Sequence, residues 1–236
     1  MKKALFCLPL LAAAAAPAQE PKSWKDSAEL SYVQTSGNSR TSTTAAKNLF
    51  NYDWRKAALE LAASGLGTDS KGTVTAEQYG ASGKVSLKLE GKNYAFEKTA
   101  WNKDRFAGIR DRWDLSLGLG RHLLDSPDDK LSVEAGGGYI FEDRLRAANQ
   151  SFGTYRGYAK YARTLSPTAS ASQDLEYLGN LKDSKGYRMN AETALTASIN
   201  SHFSLKASYL WKFVNSPTPG FKKTDATTSV AVIVNY

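Results

Sequence analysis

Residues 228–236, the last of the sequence, read Thr-Ser-Val-Ala-Val-Ile-Val-Asn-Tyr. Their apolar stripe has a period of two and consists of Val230, Val232, Val234 and Tyr236. This alternation indicates a β-strand with one apolar and one polar face. A strand that alternates to its last residue leaves an aggregation-prone edge unless both of its edges are paired. We therefore expect a closed barrel, in which the last strand pairs with the first.

Residues 1–18 are predicted to form a cleaved signal peptide. Two lysines precede an alanine-rich apolar run over residues 4–16, and Ala16-Pro17-Ala18 fits the small-x-small cleavage pattern. The run is too short to cross a bilayer as a helix, so we expect residues 19–236 to be one mature domain. Cys7, the one cysteine of the sequence, lies in this signal. The mature chain is accordingly expected to have neither a disulfide nor a cysteine metal site.

The composition favours a membrane barrel over a helical membrane protein. Hydrophobic residues make up 42% of the sequence, and a barrel strand needs apolar residues only at alternate positions. Beyond the signal, no segment of the sequence reads as a transmembrane helix. The net charge is +8, or +6 (29 basic against 23 acidic residues) without the two lysines of the signal. Because the basic residues are scattered and not clustered, we expect no nucleic-acid partner.

Twelve alternating segments are predicted as strands in the mature chain. In the clearest four, apolar and polar side chains alternate strictly, which is rare in helices. These four are residues 79–89, 113–119, 131–141 and 203–213. The other eight are residues 27–35, 42–54, 57–65, 93–103, 152–164, 169–181, 187–199 and 225–236. Segment 93–103 is ambiguous, because Tyr94 and Phe96 set one phase and Trp101 fits the other. A bulge or an inward-facing aromatic residue would explain it.

The connections and the aromatic residues support a membrane barrel. Every second connection is expected to be a short turn, and those between them are mostly longer and richer in Gly, Asn and charge, as in residues 67–73, 143–150 and 215–223. Short periplasmic turns alternating with longer outer loops are typical of outer-membrane barrels with both termini in the periplasm. The aromatic residues fall near strand ends, as expected of two girdles at the membrane interfaces. Glycines 118, 120 and 136–138 lie within strands and are expected to relieve crowding, not to bind phosphate.

Several stretches, in order along the mature chain, carry a family resemblance. They are residues 35–39 (Thr-Ser-Gly-Asn-Ser), 76–79 (Ala-Glu-Gln-Tyr), 103–109 (Lys-Asp-Arg-Phe-Ala-Gly-Ile), 117–125 (Leu-Gly-Leu-Gly-Arg-His-Leu-Leu-Asp), 131–139 (Leu-Ser-Val-Glu-Ala-Gly-Gly-Gly-Tyr), 187–188, 192–193 and 219–225 (Pro-Gly-Phe-Lys-Lys-Thr-Asp). In these stretches the sequence resembles the YdiY-type family of salt-induced outer-membrane proteins, whose shared domain has no assigned function. The resemblance implies a barrel in the bacterial outer membrane with a link to salt or osmotic response, and it supplies neither catalytic residues nor a substrate.

The last strand also resembles the C-terminal strand of bacterial outer-membrane barrels. In those proteins the terminal aromatic residue belongs to the assembly signal. The resemblance makes Tyr236 the candidate contact for the barrel-assembly machinery. A single closed barrel has no unpaired edge, so we expect a monomer surrounded by outer-membrane lipid.

Catalytic chemistry has little support in the sequence. Two histidines, His122 and His202, remain in the mature chain. His202 precedes Ser204 by two residues, the spacing that outer-membrane phospholipases use on their lipid-facing surface. However, His202 lies in a short turn at the expected periplasmic end, whereas those enzymes act near the outer leaflet. We expect no enzyme activity, no cofactor and no metal site, and keep an outer-membrane lipid hydrolase as the least favoured alternative.

The lumen is where we expect function to reside. Sixteen charged side chains are predicted to point inward: Glu60, Glu77, Lys84, Lys88, Arg112, Asp114, Glu134, Glu142, Arg156, Lys160, Asp174, Glu176, Arg188, Glu192, Lys206 and Lys212. They either pair across the lumen and close it, or leave a narrow polar pore whose basic side favours anions. The candidate selectivity residues are Lys84, Lys88, Arg112, Glu134, Arg156 and Glu176.

Two functions follow from these alternatives. The first is a narrow passive channel, similar to a porin, for small solutes or ions. The second is a non-conducting structural or surface-interaction barrel, in which the outer loops 104–110, 143–150 and 215–223 carry any partner contact. The fold class is the same for both: an all-β, transmembrane, antiparallel up-and-down barrel of about twelve strands that follows a cleaved signal peptide.

Overall fold

The computed structural model describes residues 23–35 and 41–236, and the predicted signal peptide lies outside the described residues. All regular secondary structure in these two ranges is β-strand. The twelve strands are β1 (Ser23–Thr35), β2 (Thr41–Asp53), β3 (Ala57–Ser70), β4 (Thr73–Lys88), β5 (Asn93–Asp104), β6 (Ile109–Asp125), β7 (Asp129–Arg144), β8 (Gln150–Ser166), β9 (Ala169–Asn180), β10 (Arg188–Ser198), β11 (Phe203–Val214) and β12 (Thr224–Asn235). No helix in the described part of the chain is long and apolar enough to cross a membrane.

Each strand pairs antiparallel with the next, and β12 pairs with β1 to close the barrel. At this closing seam Ser27 lies opposite Asn235, and Leu30 lies opposite Val232. The backbone N–H of Tyr236 donates to the carbonyl of Asp26 at 3.0 Å and continues the seam to the end of the chain. The predicted twelve-stranded closed barrel is thereby confirmed.

Several strands, such as β3, β4 and β6, are longer than the sequence pattern predicts, and one expected long connection is a tight turn. Strand β6 is 17 residues long, whereas the apolar alternation marks only residues 113–119. Residues beyond this alternating segment still pair with β5 and β7, so the strand extends past it. The prediction of a long connection at residues 67–73 is wrong. A two-residue turn, Lys71 and Gly72, joins β3 and β4, and both residues have positive φ (53° and 81°), as in the tight turns that favour hairpins.

The two faces of the sheet differ in the predicted way. Leu61, Leu117 and Val232 are among many large apolar side chains exposed on the outside. At the barrel end opposite Ser23 and Tyr236, here called the outer end, outward aromatic rings form a continuous row across β8–β11. Neighbouring rings in this row have centroids 5.8–5.9 Å apart, and the row runs through Tyr155, Tyr177, Tyr187, Phe213 and Trp211. This row matches the predicted aromatic girdle.

The phase of β5 explains the ambiguous segment 93–103. Tyr94 and Phe96 point into the lumen and are only 6% and 4% exposed. Trp101 has the opposite phase and points outward, where its indole N–H donates to Asp111 at 3.1 Å. A register shift lies between Asn102 and Asp104, at the outer end of the strand. Two inward-facing aromatic residues, Tyr94 and Phe96, therefore explain the pattern.

Glycines on the lumen wall allow β6 and β7 to lie close together. A Cβ atom added at Gly136 would lie 2.2 Å from the carbonyl oxygen of Leu117, and one at Gly138 would lie 2.2 Å from that of Leu115. At Gly120 the added atom would lie 2.2 Å from the ring of Tyr94. The expectation that these glycines relieve crowding is confirmed, and the space they leave is filled by inward-facing aromatic rings.

Replacing Gly136 by valine should weaken the barrel. Since the new side chain would overlap the backbone of β6, we expect a loss of about 1–3 kcal/mol in the free energy of unfolding. Urea unfolding of the refolded protein in detergent, followed by tryptophan fluorescence, would measure it. Gly157→Val is the matched control, because a Cβ atom at Gly157 meets nothing within 4 Å. Equal stability of the two variants would contradict the close approach of β6 and β7.

Candidate functional site in the barrel lumen

A buried carboxylate near the middle of the lumen accepts hydrogen bonds from three strands. Glu134, on β7, has a side chain that is only 1% exposed. One of its oxygens accepts from the ammonium of Lys84 and, at 2.8 Å, from the hydroxyl of Tyr94. The other accepts from the guanidinium of Arg156 at 2.7 Å. Because Lys84 is on β4, three strands away, this carboxylate joins separated parts of the barrel wall.

The chain of ion pairs continues from Arg156 to a second carboxylate. Arg156 Nε donates to Glu176 Oε1 at 2.8 Å, and Lys98 Nζ donates to the same oxygen at 3.2 Å. Asn190 Nδ2 lies 3.3 Å from the other oxygen of Glu176. Lys98 and Glu176 belong to β5 and β9, four strands apart in a barrel of twelve. We call these five charged residues, Lys84, Lys98, Glu134, Arg156 and Glu176, the central network.

Aromatic rings fill the space between these charges. The ring centroid of Phe96 lies 5.1 Å from Lys84 Nζ and 5.4 Å from Arg156 Cζ. The same guanidinium carbon lies 4.9 Å from the ring centroid of Tyr158. Such contacts stabilise a cation by the negative face of the ring. The central network is thus a packed layer of charges and rings that crosses the lumen, and not a loose lining of its wall.

A cavity of about 300 Å³, lined by charged, polar and apolar side chains, lies between the central network and the outer end of the barrel. It extends from Thr218 and Lys222, in the connection between β11 and β12, to Lys98 and Glu176 of the central network. Its wall includes Arg112 and Arg188, together with other charged and polar side chains of both signs. We call this space the outer cavity.

Two arginines of the outer cavity share one carboxylate. Arg188, on β10, is paired with Glu142 of β7, and Arg112 of β6 lies directly opposite Glu142 in the strand register. Gln150 Nε2 donates to the other oxygen of Glu142 at 2.9 Å. Arg112 Nε and Arg188 Nη1 are buried and have no hydrogen-bond acceptor among residues 23–35 and 41–236. Glu142 therefore leaves donors unsatisfied on both arginines.

Three further ion pairs, which involve two lysines, lie apart from the central network. Lys206 Nζ is 2.8 Å from Glu192 and 3.2 Å from Glu29, so it connects β10 and β11 with β1. Lys88 is paired with Asp53 at the expected periplasmic rim, where both side chains are about half exposed. Opposite charges thus pair across the lumen in the central network, and the outer cavity lies between this network and the outer end of the barrel.

The structure brings together four of the six candidate residues. Lys84, Glu134, Arg156 and Glu176 belong to the central network. Arg112 lies in the outer cavity and Lys88 at the rim.

One inward prediction fails, and several charged residues that face the lumen were missed, Lys98 of the central network among them. Glu77 has the phase of the outward-facing Tyr79, and it pairs with Arg105 at 2.7 Å. Lys98 was overlooked because the phase of segment 93–103 was ambiguous. Continuing the phase of Tyr94 and Phe96 by one step would have placed Lys98 inside.

Ser204 and His202, the two residues of the lipid-hydrolase alternative, have different hydrogen-bond partners. Ser204 Oγ donates to Ser198 Oγ at 3.4 Å and accepts from Asn235 Nδ2 at 3.5 Å, and Ser204 is 5% exposed on the lumen side. His202 Nδ1 lies 2.9 Å from Ser201 Oγ, in the turn before β11. A pair acting on lipid would need Ser204 on the outer surface, so this geometry does not favour the alternative. In the described part of the chain, no group of three or more His, Cys, Asp or Glu could hold a metal ion.

Comparison with solved structures places this architecture among known barrels. The NanC porin superposes with a TM-score of 0.54 at 8% identity, over 89% of this chain and 97% of that chain. An outer-membrane channel of Pseudomonas putida F1 superposes with a TM-score of 0.54 at 10% identity, over 93% of this chain and 97% of that chain. The chain therefore has the fold of the outer-membrane porins and channels.

The sequence itself belongs to a family described as "Protein of unknown function, DUF481", whose model matches residues 28–236. One relative found by sequence comparison is "Uncharacterized protein YdiY" of Escherichia coli (strain K12). It is 29% identical over 195 residues, which are 82% of this chain and 75% of that protein. The resemblance inferred from the sequence is confirmed.

Removing the charge of Glu134 should destabilise the barrel strongly. Glu134→Gln leaves Lys84 and Arg156 buried with less compensation, and breaking a buried pair in this way typically costs about 3–5 kcal/mol. Urea unfolding in detergent measures the change. The matched control is Asp53→Asn, which breaks a half-exposed pair and should cost at most about 1 kcal/mol. Similar losses in both variants would show that Glu134 is not a central acceptor.

Proposed function

We propose that this protein is a narrow passive channel of the bacterial outer membrane that admits small solutes or ions, with the link to salt response that the family resemblance implies. The observation that carries the proposal is the outer cavity, a space of about 300 Å³ inside a closed barrel whose wall includes charged side chains of both signs. In this proposal the outer cavity is the entrance and the central network is the constriction.

The outer surface supports a location in a membrane. Strands of 11 to 17 residues are long enough to cross a bilayer at a tilt. Their outward side chains are mainly apolar, and Leu30, Leu119 and Leu195 are more than half exposed. Exposing so many leucines to water would promote aggregation, whereas lipid solvates them. The outward aromatic row at the outer end fits a headgroup interface.

The central network supports a conductance well below that of a wide porin. Arg156 contacts Glu134, Glu176 and two aromatic rings, so an ion can pass only where these side chains shift. Charged side chains at a constriction are the usual means by which channels select ions. We propose that Lys84, Glu134, Arg156 and Glu176 set selectivity at the constriction, Arg112 above it and Lys88 below it.

A second candidate function rests on the same central network. Ion pairs and rings that cross the lumen would also suit a barrel that does not conduct, and whose outer loops 104–110, 143–150 and 215–223 contact a partner. The two candidates differ in whether the central network opens. Conductance measurements separate them directly.

Single-channel recording in planar bilayers tests the channel. We expect small, stable current steps for the wild type and several-fold larger steps for Arg156→Ala, because this change removes the largest side chain of the constriction. Lys84 and Lys98 would still compensate Glu134 and Glu176. Arg163→Ala, at an exposed position of the outer face, is the matched control and should conduct like the wild type. Folded protein that conducts in neither form would favour the non-conducting barrel.

We also propose that Tyr236 is recognised by the barrel-assembly machinery. Its side chain is 69% exposed, and only its backbone takes part in the closing seam. Tyr236→Ala should therefore lower the amount of barrel inserted in cells without changing refolding of the pure protein in detergent. Tyr209→Ala, another exposed outward aromatic residue, is the control. A refolding defect equal to the cellular defect would assign Tyr236 a structural role instead.

A further inference from the structure

We infer that the outer cavity binds the carboxylate of a small hydroxylated solute through Arg112, Arg188 and Lys212. This inference deepens the proposed function, because it names the chemical class of solute that the channel takes up. It stands on three observations: the shortage of acceptors around two arginines, the buried donors that these arginines leave unsatisfied in the wall of the outer cavity, and the acceptors nearer the mouth.

The first observation is the shortage of acceptors around the arginines. The side chain of Glu142 is 2% exposed, and its two oxygens already serve Arg188 and Gln150. Arg112 lies opposite Glu142 in the register, and the positive charge of Arg188 acts on it. Asp114 and Glu176 also lie near enough to act on Arg112. What this group lacks is therefore an acceptor for Arg112 Nε and Arg188 Nη1, and not negative charge as such.

The second observation is that the unsatisfied N–H groups belong to two arginines in the wall of the outer cavity. Arg112 Nε and Arg188 Nη1 are buried without an acceptor among the described residues, and both arginines line the outer cavity. Leaving a charged donor unpaired in a buried place is unfavourable. A carboxylate is the natural acceptor, because its two oxygens match the planar fork of guanidinium N–H groups.

The third observation is the polarity of the cavity towards its mouth. Lys212 Nζ donates to the uncharged amide oxygen of Gln78 at 3.1 Å, and Asp225 lies opposite Lys212 in the register. Asp104 accepts from the backbone N–H of Ala107 at 2.9 Å and keeps oxygen capacity for another donor.

These acidic groups would repel a second negative charge but would accept hydrogen bonds from hydroxyl groups. Deeper in the cavity, Asp114 already accepts from Ser116 at 2.8 Å. The solute that fits is therefore a monocarboxylate whose other polar groups are hydroxyls. A cavity of about 300 Å³ is at the lower end of the range for small-molecule sites.

Isothermal titration calorimetry on the refolded barrel in detergent tests this site. The probe is sodium gluconate, and sorbitol is the matched neutral polyol that lacks the carboxylate. We expect saturable binding of gluconate and none of sorbitol. Arg112→Gln should weaken gluconate binding about tenfold or more, because it removes a charged donor. Arg110→Gln removes the same charge from an exposed residue outside the cavity and should bind like the wild type.

Two more variants keep the test valid if Arg112→Gln folds poorly. Arg112→Lys keeps the positive charge but lacks Nε, so it should bind more weakly than the wild type if the unsatisfied donor matters. Glu142→Gln removes the competing negative charge and should bind gluconate several-fold more tightly, a gain that a folding defect cannot produce. Equal binding of sorbitol and gluconate, or no change in any of these variants, would overturn the site.

The outcome separates this inference from the channel. Binding of gluconate by a barrel that does not conduct would support the site and exclude the proposed channel function. Conductance without any binding of gluconate would support the channel and overturn the site. Added gluconate should also reduce the chloride current of a conducting wild type, while sorbitol at the same concentration should leave it unchanged.

Discussion

The carboxylate of Glu134 is bonded by cations from two different parts of the barrel wall, and the arrangement of the lumen follows from this shared acceptor. Lys84 reaches it from β4 and Arg156 from β8, so both side chains extend from their strands into the lumen. Arg156 then reaches Glu176, which also holds Lys98. Removal of either carboxylate would leave buried cations under-compensated, and such a loss is costly in a medium of low polarity.

Small and large residues on neighbouring strands make this arrangement possible. Gly118 and Gly136 leave no side chain on β6 and β7, where an added Cβ atom would overlap backbone or the ring of Phe96. The rings of Phe96 and Tyr94 enter that space from β5. They position Lys84 and Arg156 around one aromatic face, at distances typical of cation–π contacts. The glycines are thus as necessary to the central network as the charges are.

Much of the fold could be predicted from the sequence, because a two-residue period records on which face each side chain lies. The same period places Glu134, Arg156 and Glu176 inside. It fails where aromatic residues point inward, as in β5, because aromatic residues are also typical of the lipid face, and Lys98 was missed for this reason. Which charges meet could not be predicted at all. Lys84 and Glu134 are 50 residues apart, and their contact depends on the stagger of strands that are not neighbours.

The central network raises the question of why the lumen is filled with ions. A buried ion pair is weak support for stability, since apolar residues of similar volume often stabilise a core equally well or better. A barrel that served only as a membrane anchor could therefore fill its lumen with apolar side chains and have no outer cavity. Here the apolar residues facing inward, such as Ile140 and Phe152, lie beside charges and do not replace them. Charged side chains keep the lumen polar, and they can exchange one partner for another as an ion or a carboxylate passes. This difference from an apolar plug is the physical reason to favour a channel over a closed structural barrel.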